Sequence, residues 1–188
     1  MAWTKADESS LLSLKSIIDN DDIRYKEKIK QIILNDKRII HCLNNERLDE
    51  EEPDEYFGDN ILPFYLINPA QVESKNFICF EVSYNKLTDN NIISKQLQIV
   101  FYILCEQKNL IYNKSGIARH DLLAALIIDD FNWTDYWGSK LALVSDVPST
   151  VDVNYACRTL IFKTDTDNNI VKTRMGKSAI VNQMMYNG

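Results

Sequence analysis

The side chains in this 188-residue sequence that could do chemistry are two histidines, four cysteines and a dense run of acids. His120 stands in Arg119-His120-Asp121, which is not the order of the kinase catalytic triplet. The Gly-rich loop that phosphoryl transfer needs is missing as well. His41 falls late in a predicted helix, where an imidazolium would favour the negative end of the helix dipole. Cys42, Cys79, Cys105 and Cys157 come no closer in sequence than 26 positions, far from the Cys-x-x-Cys spacing of a zinc site. Three of them sit in strand-like apolar runs, where a thiol behaves as a small hydrophobe, so all four are read as reduced. A disulfide is the alternative, and the N-terminal Met-Ala-Trp-Thr-Lys-Ala-Asp-Glu, which has no secretory apolar segment, argues against it. There is no Gly-x-Ser-x-Gly turn, P-loop or dinucleotide fingerprint. Only five glycines are available for the strained turns that such sites use. No catalytic residue, cofactor site or metal ligand is assigned, and no cofactor is expected.

The sharpest catalytic alternative is a small metal-dependent nuclease, in which paired carboxylates hold Mg²⁺ and a lysine two positions after the second acid supports the nucleophile. Asp54 and Glu81 could supply the acids. However, Ser83 occupies the lysine position and Lys86 lies beyond the strand. The acidic run lacks the alternating Asp-x-Asp-x-Asp-Gly ligands of a calcium loop and reads as a solvated surface loop. From Glu46 to Asp59 it carries eight acids against Arg47 alone, a charge of −7, whereas the whole chain carries −6. The remainder is therefore at +1, too close to neutral for a dedicated duplex-DNA binder.

With catalysis unsupported, contact residues become the candidates. Trp133, Tyr136 and Trp137 form an aromatic cluster of the kind enriched at interfaces, and core packing is its plain alternative. The acids beside it, Asp129, Asp130 and Asp135, would repel a phosphate backbone. Arg119 and Arg158 are candidate interface anchors or internal charge partners. Met184, Met185 and Tyr186 end an apolar tail suited to a neighbouring subunit.

The elements that must hold these residues follow from periodicity. Apolar residues make up 45% of the chain and charged ones 26%, a globular balance, and the length fits one domain. Such a body can bury about 70% of its unfolded surface without metals or disulfides. No run reaches the roughly 18 apolar residues of a membrane helix. Ser9 and Ser10 are read as the N-cap of a stripe through Leu11, Leu12, Leu14, Ile17 and Ile18, interrupted at Asn20-Asp21-Asp22. Residues 21 to 44 predict one or two amphipathic helices broken at Asn35-Asp36.

Prolines 53, 63 and 69 predict loop from 53 to about 70, with Ile61 to Ile67 too apolar to lie free in water. Phe77 to Tyr84 and Lys95 to Gln107 alternate as a long antiparallel hairpin about Asp89-Asn90-Asn91, and Leu110 to Tyr112 could add a short strand. Ile117 to Phe131 predicts a helix across the sheet. Lys140 to Ser145 and Val151 to Phe162 predict two strands separated by a turn at Asp146-Val147-Pro148-Ser149. In the second of these Val151, Val153, Tyr155, Cys157, Thr159 and Ile161 share a face. The fold class is α+β: an antiparallel sheet with a long β-hairpin, a helix packed across it and N-terminal helices. The domain is read as 1–164, with a helical region at about 9–44 and an acidic, proline-bearing loop at 45–70. Residues 165–188 form an arm.

Residues 57 to 172 resemble neck and tail-completion proteins of tailed bacteriophages, the tail-terminator type in particular. The resemblance rests on Asn60-Ile-Leu-Pro-Phe-Tyr-Leu-Ile-Asn-Pro69, Phe77 to Val82, Gly116 to Ala124, Phe131-Asn-Trp133 and Cys157-Arg-Thr-Leu-Ile-Phe162. It implies the order helix, long hairpin, crossing helix, returning strands, and a homo-hexameric ring at the head–tail junction. The implied partners are other copies of the chain, a head connector or adaptor, and tail-tube proteins. DNA would pass through the lumen without specific binding, with no membrane and no cofactor. The expected location is the neck of the virion, after synthesis in the host cytoplasm. The longer N-terminal helical region departs from that pattern and leaves a stopper or adaptor role open. A nuclease and a regulatory binding module are the readings from other classes.

Overall fold

Two consecutive runs of alternating apolar residues build the centre of the fold, and three helices cover one face of it. The computed structural model describes residues 4–12, 21–65, 75–86, 94–112, 115–151 and 153–167. In chain order the elements are α1 (Lys5–Leu12), α2 (Asp21–Asn35), α3 (Lys37–Leu43), β1 (Ile61–Leu62), β2 (Phe77–Lys86), β3 (Ser94–Glu106), α4 (Arg119–Phe131), β4 (Ala142–Thr150) and β5 (Tyr155–Asp167). The sheet order is β1-β2-β3-β5-β4, parallel between β1 and β2 and antiparallel elsewhere. This is the α+β class that the sequence predicts.

The helical break falls where expected. Asp36 caps α3, its side chain accepting from the Arg38 backbone N–H at 2.8 Å, so the chain turns between α2 and α3 instead of continuing. The first helix begins earlier than Ser9. Thr4 and Asp7 bond each other's backbone N–H groups as a capping box, which starts α1 at Lys5. Leu11 and Leu12 remain exposed on it. The rest of that stripe, with Leu14, Ile17, Ile18 and Asn20, lies outside the described residues, as does the hairpin turn at Asp89-Asn90-Asn91.

On the helix-covered face, β2 contributes Ile78 and Phe80 and β3 contributes Leu97, Ile99, Phe101, Ile103 and Cys105, all fully buried. These are the alternate positions that the pattern picks out. α2 lies on β2, α4 lies on β3 and β5, and α3 bridges α2 and α4. The centre is aromatic: Phe101 meets Phe131 of α4 with ring centroids 4.9 Å apart, and Phe162 of β5 meets Phe101 edge-on at 5.8 Å. Such pairs add about 0.5–1.5 kcal/mol each beyond the area they bury. On the opposite face Leu62, Phe77, Cys79, Leu104 and Cys157 form a smaller buried cluster. All four cysteines are free and buried, as read from the sequence.

Several expectations are corrected. Residues Asp146 to Ser149 are strand, not turn: β4 runs through them and pairs Pro148 with Arg158. Proline is tolerated there because β4 is an edge strand, with no further ladder on its outer side among the described residues. The turn falls instead between Thr150 and Tyr155, and β5 extends to Asp167, so residues 165–167 belong to the sheet rather than to an arm. Tyr155, Cys157, Thr159 and Ile161 alternate along β5 on the face opposite the fully buried Leu160 and Phe162, while Val153, 87% exposed, precedes the strand. Finally, the proline-bearing loop contains structure. Pro53 opens a 3-10 turn ending at the buried Tyr56, and Ile61 and Leu62 add a parallel strand beside Ile78 and Cys79. The expected extra strand at Leu110 to Tyr112 reduces to a single bridge between Ile111 and Ala118.

A buried network of asparagines joins these parts. Asn60 Nδ2 donates to the Asn76 carbonyl at 2.8 Å, and Asn76 Nδ2 donates to the Leu43 carbonyl at the end of α3 at 2.9 Å. The Asn76 side-chain oxygen accepts from the Glu106 backbone N–H at 3.3 Å. Asn60 is 0% and Asn76 1% exposed, so no solvent replaces a lost partner. Asn76→Ala strips two buried backbone groups of their partners and is expected to destabilise the fold by about 2 to 3 kcal/mol, read as a shift in urea midpoint at unchanged slope.

Candidate functional site

The loop joining α4 to β4 gathers the exposed aromatics. Helix α4 stops at Phe131, and Asn132 is held by its side-chain oxygen accepting from Leu143 N–H at 2.9 Å. The next residue, Trp133, adopts φ 62°, in the left-handed region that favours glycine and asparagine. Its N–H donates to the Leu141 carbonyl at 2.7 Å, and Leu141 N–H returns to Thr134 at 2.9 Å, so the conformation is locked by backbone hydrogen bonds. The indole is 65% exposed, with the Lys140 ammonium 5.5 Å from its ring centroid. Tyr136 beside it is 53% exposed.

The other sequence candidates go to different places. Trp137 is buried in the core, stacked on Phe131 and edge-on to Tyr25. Arg119 is buried too, where Nε donates to the Asn109 carbonyl at 3.0 Å and Nη1 to the Cys42 carbonyl at 2.9 Å. It serves the C-terminal end of α3 from inside the chain. Arg158 on β5 forks onto both carboxylate oxygens of Asp146 on β4, at 2.7 and 2.8 Å, and also grips Asp121 on α4. It is an internal clamp between sheet and helix. Met184, Met185 and Tyr186 lie outside the described residues.

His120 Nε2 stands 3.5 Å from Asp121 Oδ1, the carboxylate that Arg158 already holds. His41 Nδ1 meets Glu50 at 2.9 Å, and its Nε2 faces the Tyr112 hydroxyl at 3.3 Å, so the acidic loop is tied back to α3. Glu81 bonds Lys26 of α2 at 2.7 Å and accepts from the Tyr65 N–H at 3.3 Å, pinning the chain that follows β1. Among the described residues no three His, Cys, Asp or Glu side chains come together as an ion cage. No helix there is long and apolar enough to cross a membrane.

Two features escape the sequence reading because they join distant segments. One is a cavity between α2 and the 136–138 loop, lined by Arg24, Tyr25, Lys28, Tyr136, Trp137 and Thr166. The other is a cluster of Asp36, Asp129 and Asp130 around Arg38, whose guanidinium reaches Asp36 at 2.8 Å and Asp129 at 3.1 Å. Burial favours the neutral form of Asp36, but the hydrogen bonds from Arg38 outweigh it and hold this carboxyl below its ordinary range. Burial, reinforced by the neighbouring Asp36 and Asp129 carboxylates, pushes Asp130 up to about 6.

The YomW family profile matches residues 36–164, more than half of the chain, and the protein belongs to that family. It is a family of Bacillus phage type, and membership points to a phage-associated protein. No curated protein matches the chain.

Asp130 generates a pH prediction. The folded state binds its proton more tightly than the unfolded chain, so the stability from this group is full below about pH 4 and is lost as pH rises through about 6. Asp130→Asn removes the penalty. It is expected to stabilise the protein at pH 7 by about 1 to 2 kcal/mol, with the gain fading toward pH 4 in parallel thermal melts.

Proposed function

We propose that this protein is a structural subunit of a tailed-phage neck, assembling with copies of itself into a ring at the head–tail junction. Tail termination is the specific role favoured by the resemblance, with stopper and adaptor as other neck roles. Phage-type family membership supports the setting. Trp133 carries the case for contact. A large aromatic that is 65% exposed in a left-handed conformation costs on the order of 1 kcal/mol relative to glycine and gains little burial within the subunit. Strain of that kind is kept where the side chain is used, and tryptophan is the residue most enriched among interface hot spots.

The neighbouring strand extends the surface. Val144 is 53% and Val147 52% exposed on β4, an edge of the sheet among the described residues. An edge with apolar side chains gains stability by pairing with another chain. In a closed ring the surface that meets it would be a different patch of the next subunit, a head-to-tail contact. Glu81, one of the two acids that the nuclease reading would recruit, is engaged otherwise, with Lys26 and Tyr65.

Native mass spectrometry of the full chain tests the proposal. A ring, six-fold on the resemblance, is the expected species. Trp133→Gly is expected to abolish the ring while leaving the monomer equally stable or more stable by up to about 1 kcal/mol, since glycine relieves the backbone. A wild-type chain that stays monomeric at every concentration and is missing from purified particles would overturn the reading. So would Mg²⁺-dependent DNA cleavage that Glu81→Ala abolishes without changing the thermal melt.

A further inference from the structure

The cluster around Arg38 joins two helix ends whose charges are each adverse to their own helix. Arg38 lies in the first turn of α3, where the helix dipole disfavours a cation, and Asp129 and Asp130 lie in the last turn of α4, where it disfavours anions. Brought together, these charges offset one another, but Arg38 shares its donors unequally. Nε and Nη2 bond the Asp36 carboxylate at 2.8 to 3.0 Å, and Nη1 bonds Asp129 at 3.1 Å. Asp130 Oδ1 stands 3.6 Å from Nη2, beyond hydrogen-bond reach. The other oxygen of Asp130, Oδ2, is buried and has no hydrogen-bond partner among the described residues. One guanidinium thus serves two carboxylates of three.

The charged groups that face Asp130 are Asp36 from the link between α2 and α3, Arg38 from α3, and Asp129 from its own helix. Three ionised carboxylates against one guanidinium leave this cluster at −2. A proton on Asp130 removes one of those charges and turns its carboxyl into a donor for the Asp36 carboxylate. Burial, and then the Asp36 charge, favour that protonated form, in line with the geometry. The same turn of α4 carries the loop after it. Asn132 N–H donates to the Ile128 carbonyl at 2.9 Å, and Thr134 Oγ1 donates to the Phe131 carbonyl at 2.8 Å, with Trp133 between them. A change at Asp130 therefore reaches Trp133 through a single turn of helix.

We propose that Asp130 is a proton-operated latch for the loop that carries Trp133. Protonated, it donates a hydrogen bond to Asp36 and closes the cluster around Arg38, which holds the last turn of α4 and the loop beyond it. Ionised, it meets two like charges at the negative end of its own helix, and that turn loosens together with Asn132, Trp133 and Thr134. Because the closed form binds the proton more tightly, the latch is most firmly closed below about pH 4 and weakens as pH rises through about 6. The latch is a property of the single chain. Its consequence for assembly, a contact loop better ordered in mild acid, rests on the ring proposed above.

Amide hydrogen exchange of the full chain, kept dilute enough to be monomeric and corrected for the intrinsic rate, tests the latch between about pH 5 and about pH 8. Protection of the Asn132, Trp133 and Leu143 amides is expected to fall about tenfold over that range, as follows when a carboxyl titrates near 6 in the closed form and near its ordinary value in the open one. In Asp130→Asn the same amides are expected to keep their protection at every pH. If that variant does not fold, Asp129→Asn decides: removing one repelling carboxylate must shrink the fall, and an unchanged fall would sink the proposal. Constant protection across the range in the wild-type chain would overturn it, as would an equal fall in folded Asp130→Asn. A chain that shows the fall but forms no ring in native mass spectra supports the latch and counts against the assembly alone.

Discussion

The last carbonyls of α3 end inside the protein, and the rest of the architecture depends on how they are satisfied. Asn44 turns into the left-handed region and closes the helix onto His41, while Arg119 reaches the Cys42 carbonyl and Asn76 the Leu43 carbonyl. A helix end buried without partners would cost several unmade hydrogen bonds. Here the donors come from the start of α4 and from the residue just before β2. The Arg119 and Asn76 bonds therefore set the position of the bridging helix against the crossing helix and the hairpin. Through Asn60 the network also orders β1 and the chain leading from the acidic loop.

Much of this was legible in the sequence because it follows from period alone. The break between α2 and α3, the core face of the hairpin and the crossing helix all follow from apolar spacing plus one capping residue. The failures have a common cause. Pro148 reads as a turn residue, and only the knowledge that β4 is an edge makes it compatible with a strand. Ile61 and Leu62 are too short to alternate, and their strand exists because β2 offers a parallel neighbour. Arg119, Arg158 and Trp137 look alike as contact candidates, yet each has a partner far away in sequence, Cys42, Asp121 and Tyr25 respectively, that no spacing rule supplies. The cavity beside α2 is the extreme case, since its walls bring Lys28 to Tyr136, 108 positions later in the chain.

What remains on the surface is informative because the interior accounts for so much of the rest. The exposed aromatics Trp133 and Tyr136 and the exposed valines of β4 lie on consecutive segments, the loop and the strand that follows it. Scattered apolar side chains are ordinary on any protein, but one held in a left-handed turn by two backbone hydrogen bonds is not. The acidic loop is better ordered than its charge implies, tied down by His41, Asn45 and Lys75. Charge in this molecule serves mainly to fasten segments to one another, and on the proposed reading contact falls to the loop after α4 and the edge strand.

Hydrogen exchange followed as a function of protein concentration tests that claim most directly. The backbone amides of residues 133–151 should become protected as the concentration rises, with those of the buried hairpin protected throughout. Identical exchange of residues 133–151 in dilute and concentrated protein, or new protection confined to other segments, would contradict it.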